Sequence, residues 1–184
     1  SDPPPAGESL QLFAAEMLAM MAESFGRPAH LVGLSLGGAA QSRAEVWSSL
    51  EAVERAVRRL YPDARIDMDG DKAAAVRVER QDLDEMLGNL IENAAKYGGG
   101  SVFATVGRAA GMVEILIEDD GMGIPQEERV RIFDRGVRLD SGKPGTGLGL
   151  AIVRDVAEIY GGSVDLAESE DLGGLLVRLS LPRS

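Results

Sequence analysis

Three groups of polar residues have the types and spacing to do chemistry. Asn89, Asn93 and Lys96 stand four and three residues apart, which puts them on one face of a helix. Asparagine is a mediocre helix former, so two of them in mid-helix ask for a reason. The neutral amide oxygen of Asn93 suits Mg²⁺, a hard cation that keeps waters and phosphate oxygens in its shell. The second group, Asp119-Asp120-Gly121-Met122-Gly123, closes the alternating run Val113-Glu114-Ile115-Leu116-Ile117-Glu118, which reads as a strand. Glycine there permits positive φ and lets a ligand approach the main chain. Asp120, just past the strand end, can accept a hydrogen bond from an exocyclic amine. Taken alone, the same stretch is an ordinary surface turn. The third group is Gly145-Thr146-Gly147-Leu148-Gly149 at a helix start, preceded by Arg135, Arg138 and Lys143. Free backbone N–H groups and the positive end of the helix dipole favour an anion at such a place, and the cations add phosphate contacts. The G-x-G-x-G spacing is neither a dinucleotide fingerprint nor a Walker loop. Together the three groups describe a Mg-nucleotide site with places for base, metal and phosphates.

The elements that must hold these residues follow from hydrophobic periodicity. Leu10, Phe13, Ala14, Met17, Leu18, Met21 and Phe25 mark a helical face over residues 8–25, which either packs on a core or meets a partner helix. A helix is expected over 44–61, then strands at 65–69 and 74–78 around a Gly70-Asp71 turn, at the spacing of a hairpin. The most periodic helix covers 80–97, with Leu83, Met86, Leu87, Leu90, Ile91 and Ala94 as its stripe and Gly98-Gly99-Gly100 as its stop. Strands at 101–107 and 112–118 lead into the Asp119 turn, and a short helix or turn follows at 126–133. After the cationic loop come a helix over 148–160 and strands at 163–167 and 175–181.

Bulk properties narrow the field. The chain has 184 residues, 45% apolar but only 4% aromatic, so its core must be mainly aliphatic. Nineteen Lys and Arg against 30 Asp and Glu give a net charge of −11, which argues against nonspecific contact with nucleic acid or an anionic membrane surface. Clustered cations on that background need a purpose. With no Cys there is no disulfide, thiolate metal site or cysteine nucleophile, as suits a cytoplasmic protein. No apolar run approaches the roughly 20 residues of a membrane span, and no signal peptide opens the chain. Residues 1–7 read as a disordered leader. His30, the single histidine, has no acidic neighbour or second metal ligand and reads as an ordinary packed or surface side chain.

The motifs resemble a known family. Asn89-Leu90-Ile91-Glu92-Asn93-Ala94-Ala95-Lys96-Tyr97 resembles the N box of the sensor histidine kinases. Asp120-Gly121-Met122-Gly123 is similar to their G1 box, Ile132-Phe133-Asp134-Arg135 to the F box, and Gly145-Thr146-Gly147-Leu148-Gly149-Leu150 to the G2 box. The resemblance covers roughly residues 44–182 and is closest to the PhoQ-type kinases, through the Phe133-to-Leu150 stretch. It implies a two-layer α/β (α+β) sandwich, the Bergerat or GHKL fold, in which about three helices cover one face of a mixed, mostly antiparallel sheet. It also implies ATP and Mg²⁺ as cofactors and a lid between the F and G2 boxes. By this likeness Asn93 holds Mg²⁺ and Asn89 and Lys96 approach the phosphates. Asp120, with Gly121 and Gly123 beside it, reads the adenine amine, and Tyr97 and Ile124 line the base pocket. Phe133 and Arg135 belong to the F box, and Arg138 and Lys143 reach the phosphates from the lid. Gly145, Thr146, Gly147, Leu148 and Gly149 cradle them. Met122 stands where the family often has proline.

In the hydrolases of the same fold, a Glu four residues before the Mg-binding Asn activates water. Here that position is Asn89, and an amide cannot serve as a general base. Glu92, about 100° further round the helix than Asn93, should face elsewhere. The resemblance therefore implies phosphoryl transfer, with Asn89, Lys96, Arg138 and Lys143 as the catalytic set. Family members accept phosphate on a histidine followed by Glu or Asp, a pattern that His30-Leu31 lacks. The expected organisation is a helical appendage or linker at 8–43, where a dimerisation domain would end, and a catalytic ATP-binding domain at 44–184. Expected partners are a phosphoacceptor and dimerisation domain and a response regulator, in a homodimeric inner-membrane sensor whose cytoplasmic part this is. A nucleotide-binding switch module and an anti-sigma-type serine kinase are the alternatives.

Overall fold

The structure, a computed structural model, describes residues 42–97, 99–123, 127 and 149–184. The expectations for residues 8–38, including His30, and for Ile124, Phe133, Arg135, Arg138, Lys143, Gly145, Thr146, Gly147 and Leu148 lie outside the described residues.

The elements run β1 (Ala44–Glu45), α1 (Val46–Leu60), β2 (Arg65–Gly70), β3 (Ala75–Val76), α2 (Arg80–Tyr97), β4 (Ser101–Ala109), β5 (Met112–Asp119), α3 (Gly149–Ile159), β6 (Ser163–Glu168) and β7 (Leu175–Pro182). Five strands form one sheet in the order β2-β4-β5-β7-β6, parallel only between β2 and β4. The three helices pack on one face of it, with α2 in the middle touching both α1 and α3. This is the two-layer arrangement that the motifs implied.

Period-two alternation in the strands sends Val102, Ala104, Val106, Val113, Ile115, Ile117, Val177, Leu179 and Leu181 inward. They meet the stripe of α2 — Leu83, Met86, Leu87, Leu90 and Ile91, all nearly or fully buried — together with Leu50, Val53 and Val57 of α1 and Val153 and Val156 of α3. The core is aliphatic, as the composition requires. Polar side chains tie the helix layer together at its seams. Tyr160 Oη donates to Asp82 Oδ2, and Ser49 Oγ donates to Asp84 Oδ1. The same Asp84 oxygen accepts from Arg80 Nε at 2.9 Å, and Arg80 Nη1 donates to Ser48 Oγ at 3.1 Å. A buried carboxylate is tolerated only with such partners.

One expectation is corrected. The segments at 65–69 and 74–78 do not pair as a hairpin. β2 pairs in parallel with β4 along its whole length, Arg65 opposite Ser101 through Gly70 opposite Val106. β3 instead pairs antiparallel with β1. Gly70 explains the separation. Its φ of +114° turns the chain, and a Cβ there would lie 2.2 Å from Val106 O, so the strand end is pressed against β4. Asp71 N–H then donates to that same carbonyl at 2.9 Å, which holds the turn to β4.

Candidate functional site

The site is built where the C-terminal end of α2 meets the end of β5. Along α2, Leu90, Ile91 and Ala94 are buried while Asn89, Asn93 and Lys96 stay half-buried on a separate face. The apolar stripe fixes the rotation of the helix, and the polar face follows from it. Asn89 Nδ2 donates to the Glu85 carbonyl one turn back at 3.0 Å, so its amide group lies along the helix. Glu92 turns away from that face: it is 5% exposed and accepts from Tyr61 Oη at 2.8 Å, across the seam with α1. Burial raises the Glu92 carboxyl above its usual range, while Tyr61 and the Lys96 charge oppose that rise. Glu92 is thus a link between helices, as its angular position on the helix anticipates.

The two adjacent carboxylates at the end of β5 have different surroundings. Asp120 is half-buried, and its Oδ1 accepts the Gly99 N–H at 2.8 Å and the Ser101 N–H at 3.0 Å. It fastens the segment between α2 and β4 to the end of β5. Asp120, expected at an exocyclic amine, holds backbone through its Oδ1 as Asp119 does through its own; the two carboxylates differ in burial and in the side of β5 that each occupies. Asp119 is buried, on the helix-facing side of β5 with Val113, Ile115 and Ile117. Its Oδ1 accepts the Gly121 N–H at 3.0 Å and the Leu175 N–H at 3.2 Å, and its carbonyl accepts the Gly174 N–H at 3.1 Å. Burial raises the Asp119 carboxyl; the Gly121 and Leu175 N–H groups work against that, and the neighbouring Asp120 charge adds to it. Gly123, with φ +74°, ends the turn close to Gly174, and Met122 between the glycines is fully exposed.

Three residues that the motifs did not single out belong to this corner. Ser169, Gly174 and Leu175 in and after the β6–β7 loop touch the end of β5. The alternation of β5 could have pointed to Asp119: counting from Ile117, position 119 shares the core face and 120 does not. Nothing comparable in the sequence marks the loop.

Glu85 is a further unexpected group. It lies on the same face of α2 as Asn89 and Asn93, and its Oε2 is buried without a hydrogen-bond partner. Burial first, and the nearby Asp82 charge second, push its carboxyl up to about 7. The folded state therefore holds a proton that the unfolded chain has lost, in the window between the ordinary carboxyl value of 4.5 and about 7. Stability falls as pH rises through that window and is flat above it. Glu85→Gln removes the penalty. The variant is expected to gain about 1–2 kcal/mol over the parent at pH 8 and clearly less at pH 5, after discounting for solvent screening. Urea unfolding at the two pH values measures the difference. Equal gains at both would mean that the carboxyl titrates normally.

As to metal, among the described residues no three His, Asp or Glu side chains converge into a cage. Mg²⁺ takes one or two protein oxygens and fills its shell with water and phosphate. The half-buried amide of Asn93 is a fitting donor.

The profile of the family described as histidine kinase-, DNA gyrase B-, and HSP90-like ATPase matches residues 78–184. The chain is similar to the sensor protein kinase CarS of Pseudomonas aeruginosa, 39% identical over 176 residues, which cover 94% of this chain and 39% of that protein. It is 37% identical over 161 residues to the two-component sensor PhoQ of the same organism, covering 86% of this chain and 36% of the other. Among solved structures it resembles the mycobacterial sensor histidine kinase MprB, with TM-score 0.69 and 30% identity over 77% of this chain and 97% of that one. The chain thus spans well under half the length of the two Pseudomonas relatives.

Proposed function

The chain belongs to the histidine kinase-, DNA gyrase B-, and HSP90-like ATPase family, and from that premise we propose that it carries the Mg-ATP-binding catalytic domain of a two-component sensor histidine kinase. The fold is the Bergerat fold, and an ATPase domain of this kind binds ATP. In the proposed reaction a histidine nitrogen of a dimerisation domain attacks the γ-phosphorus, the bond to the β-phosphate oxygen breaks, and ADP leaves. The protein's share is positioning and charge neutralisation.

The observation that carries the reading is the state of Asp119. It is a buried carboxylate at a sheet end, with one oxygen pinned by two backbone N–H groups, beside the C-terminal end of the helix that bears Asn93. A carboxylate held in that way is a fixed acceptor for an exocyclic amine. We assign the adenine amine to Asp119, with Asp120 bracing the adjoining turn. Asn93 would hold Mg²⁺, the metal supplying charge neutralisation at the β- and γ-phosphates. Asn89 and Lys96 face the phosphates, and Tyr97 and Ile124 line the base. Arg135, Arg138, Lys143 and the Gly145-to-Gly149 stretch carry the phosphate contacts that the motifs imply. Asn89, an amide bonded to a backbone carbonyl, offers no general base for water, which supports transfer over hydrolysis. The natural partners on this reading are a phosphoacceptor domain and a response regulator, in a dimeric inner-membrane sensor. Among the described residues no helix is long and apolar enough to cross a membrane.

Purified chain mixed with γ-labelled ATP, Mg²⁺ and a separate phosphoacceptor domain tests this. Acid-labile, base-stable label on histidine is the expected result. Acid-stable phosphoserine would point to an anti-sigma-type kinase, and binding without transfer to a switch module.

A further inference from the structure

The end of β5 is held from both sides by one short loop. Glu118 and Asp119 are neighbours in the strand, so their side chains leave opposite faces of the sheet. On the outer face Ser169 Oγ donates to Glu118 Oε1 at 2.9 Å; Ser169 is 1% exposed and Glu118 5%. On the helix-facing side the same loop delivers the Gly174 N–H to the Asp119 carbonyl and the Leu175 N–H to Asp119 Oδ1. The loop between these grips is closed on itself by hydrogen bonds. Ser169 N–H donates to the Gly174 carbonyl and Gly173 N–H to the Ser169 carbonyl, both at 2.8 Å, while Leu172 N–H donates to Ser169 Oγ at 3.0 Å. Ser169 is thus bonded through its amide, its carbonyl and its hydroxyl at once.

We infer that Ser169 and Glu118 are positioning residues for purine selectivity: their buried hydrogen bond fixes the β6–β7 loop so that the Leu175 N–H locks Asp119 as a pure acceptor. The inference rests on the assignment of the adenine amine to Asp119. Its chemistry is simple. An ionised carboxylate with one oxygen saturated by N–H donors accepts from the 6-amino group of adenine and has nothing to offer the 6-oxo group of guanine. Burial pushes Asp119 towards its neutral form, which could donate to that oxo group. The N–H donors oppose this, so a loop that drifts from Asp119 weakens ATP binding and relaxes the choice of base together.

The experiment compares Mg-ATP with Mg-GTP and with purine riboside triphosphate, which lacks the 6-amino group, by calorimetric titration of the whole chain. Ser169→Ala and Glu118→Met should each lower the preference for ATP over the two analogues by about three- to tenfold, the worth of one hydrogen bond. Glu118→Gln keeps an acceptor at the same place and should hold the preference within about twofold. If the variants weaken all three nucleotides equally, or change none, the positioning role is wrong and the bond is structural. Asp119→Asn separates the two ideas. If it leaves the preference intact, the base assignment itself falls. If it abolishes the preference while Ser169→Ala and Glu118→Met do not, only the latch falls.

Discussion

Replacing Gly174 with alanine is expected to raise the dissociation constant for ATP by about 100-fold while the domain stays folded. A Cβ on residue 174 would lie 2.3 Å from the Asp119 carbonyl, 2.3 Å from Asp119 Oδ1 and 2.7 Å from Gly121 N. All three contacts belong to the turn that presents Asp119, and two are backbone atoms, so no rotamer change relieves them. The loop must back away. It then gives up the Gly174 N–H bond to the Asp119 carbonyl and the Leu175 N–H bond to Oδ1. Each lost bond to a buried acceptor costs about 1–3 kcal/mol, and part of that sum appears as lost affinity, at 1.4 kcal/mol per tenfold. Gly173 provides the control. Its φ is +84°, yet a Cβ there meets nothing within 4 Å. Gly173→Ala should therefore cost about 1 kcal/mol of stability through left-handed strain and change ATP affinity by no more than about threefold. Titration of both variants beside a thermal melt makes the comparison. Equal losses of affinity at 173 and 174 would mean that general loop damage, and not contact with Asp119, is responsible.

The contrast between these two glycines also marks what the sequence could and could not tell. Among the described residues periodicity located the three helices and most strands, because burial against a single sheet face forces the 3.6 and 2.0 periods on the residues. It also placed Asn89, Asn93 and Lys96 on a face apart from the core stripe, since both follow from one helical rotation. Pairing between strands was another matter. The segments at 65–69 and 74–78 had hairpin spacing, but a parallel partner 36 residues on, at Ser101, took β2 instead. Nothing local encodes a partner that far away. At the end of β5 the motif suggested the second carboxylate, because Asp120 sits closer to the glycines. The burial alternation, carried one step further, separates Asp119 from it. The loop at 169–174 was not legible at all. Its glycines and serine look like any turn, and their significance lies in contacts with Glu118 and Asp119 some fifty residues away.

Asn93→Ala should separate function from stability in the opposite direction. The side chain is half-buried on α2 with the apolar stripe untouched behind it. Asparagine at a helix interior costs about 0.5 kcal/mol relative to alanine, so the variant is expected to be as stable as the parent or slightly more so. Its function should collapse. If Asn93 is the protein oxygen on Mg²⁺, its replacement removes the one ligand by which this helix would hold the metal and its neutralising charge at the phosphates. Affinity for Mg-ATP should fall about 10- to 100-fold, and phosphoryl transfer to an added acceptor domain by about 10³-fold. Chelation of the metal provides the internal check. In EDTA the residue has no metal to hold, so parent and variant should bind free ATP alike. A variant that binds ATP less well in EDTA by the same factor as in Mg²⁺ would show that Asn93 acts on the nucleotide directly and not through the metal. No change in either condition would remove Asn93 from the site. A site residue kept at a local cost in helix stability is one whose replacement raises the melting temperature while removing activity, and Asn93 is such a position on α2.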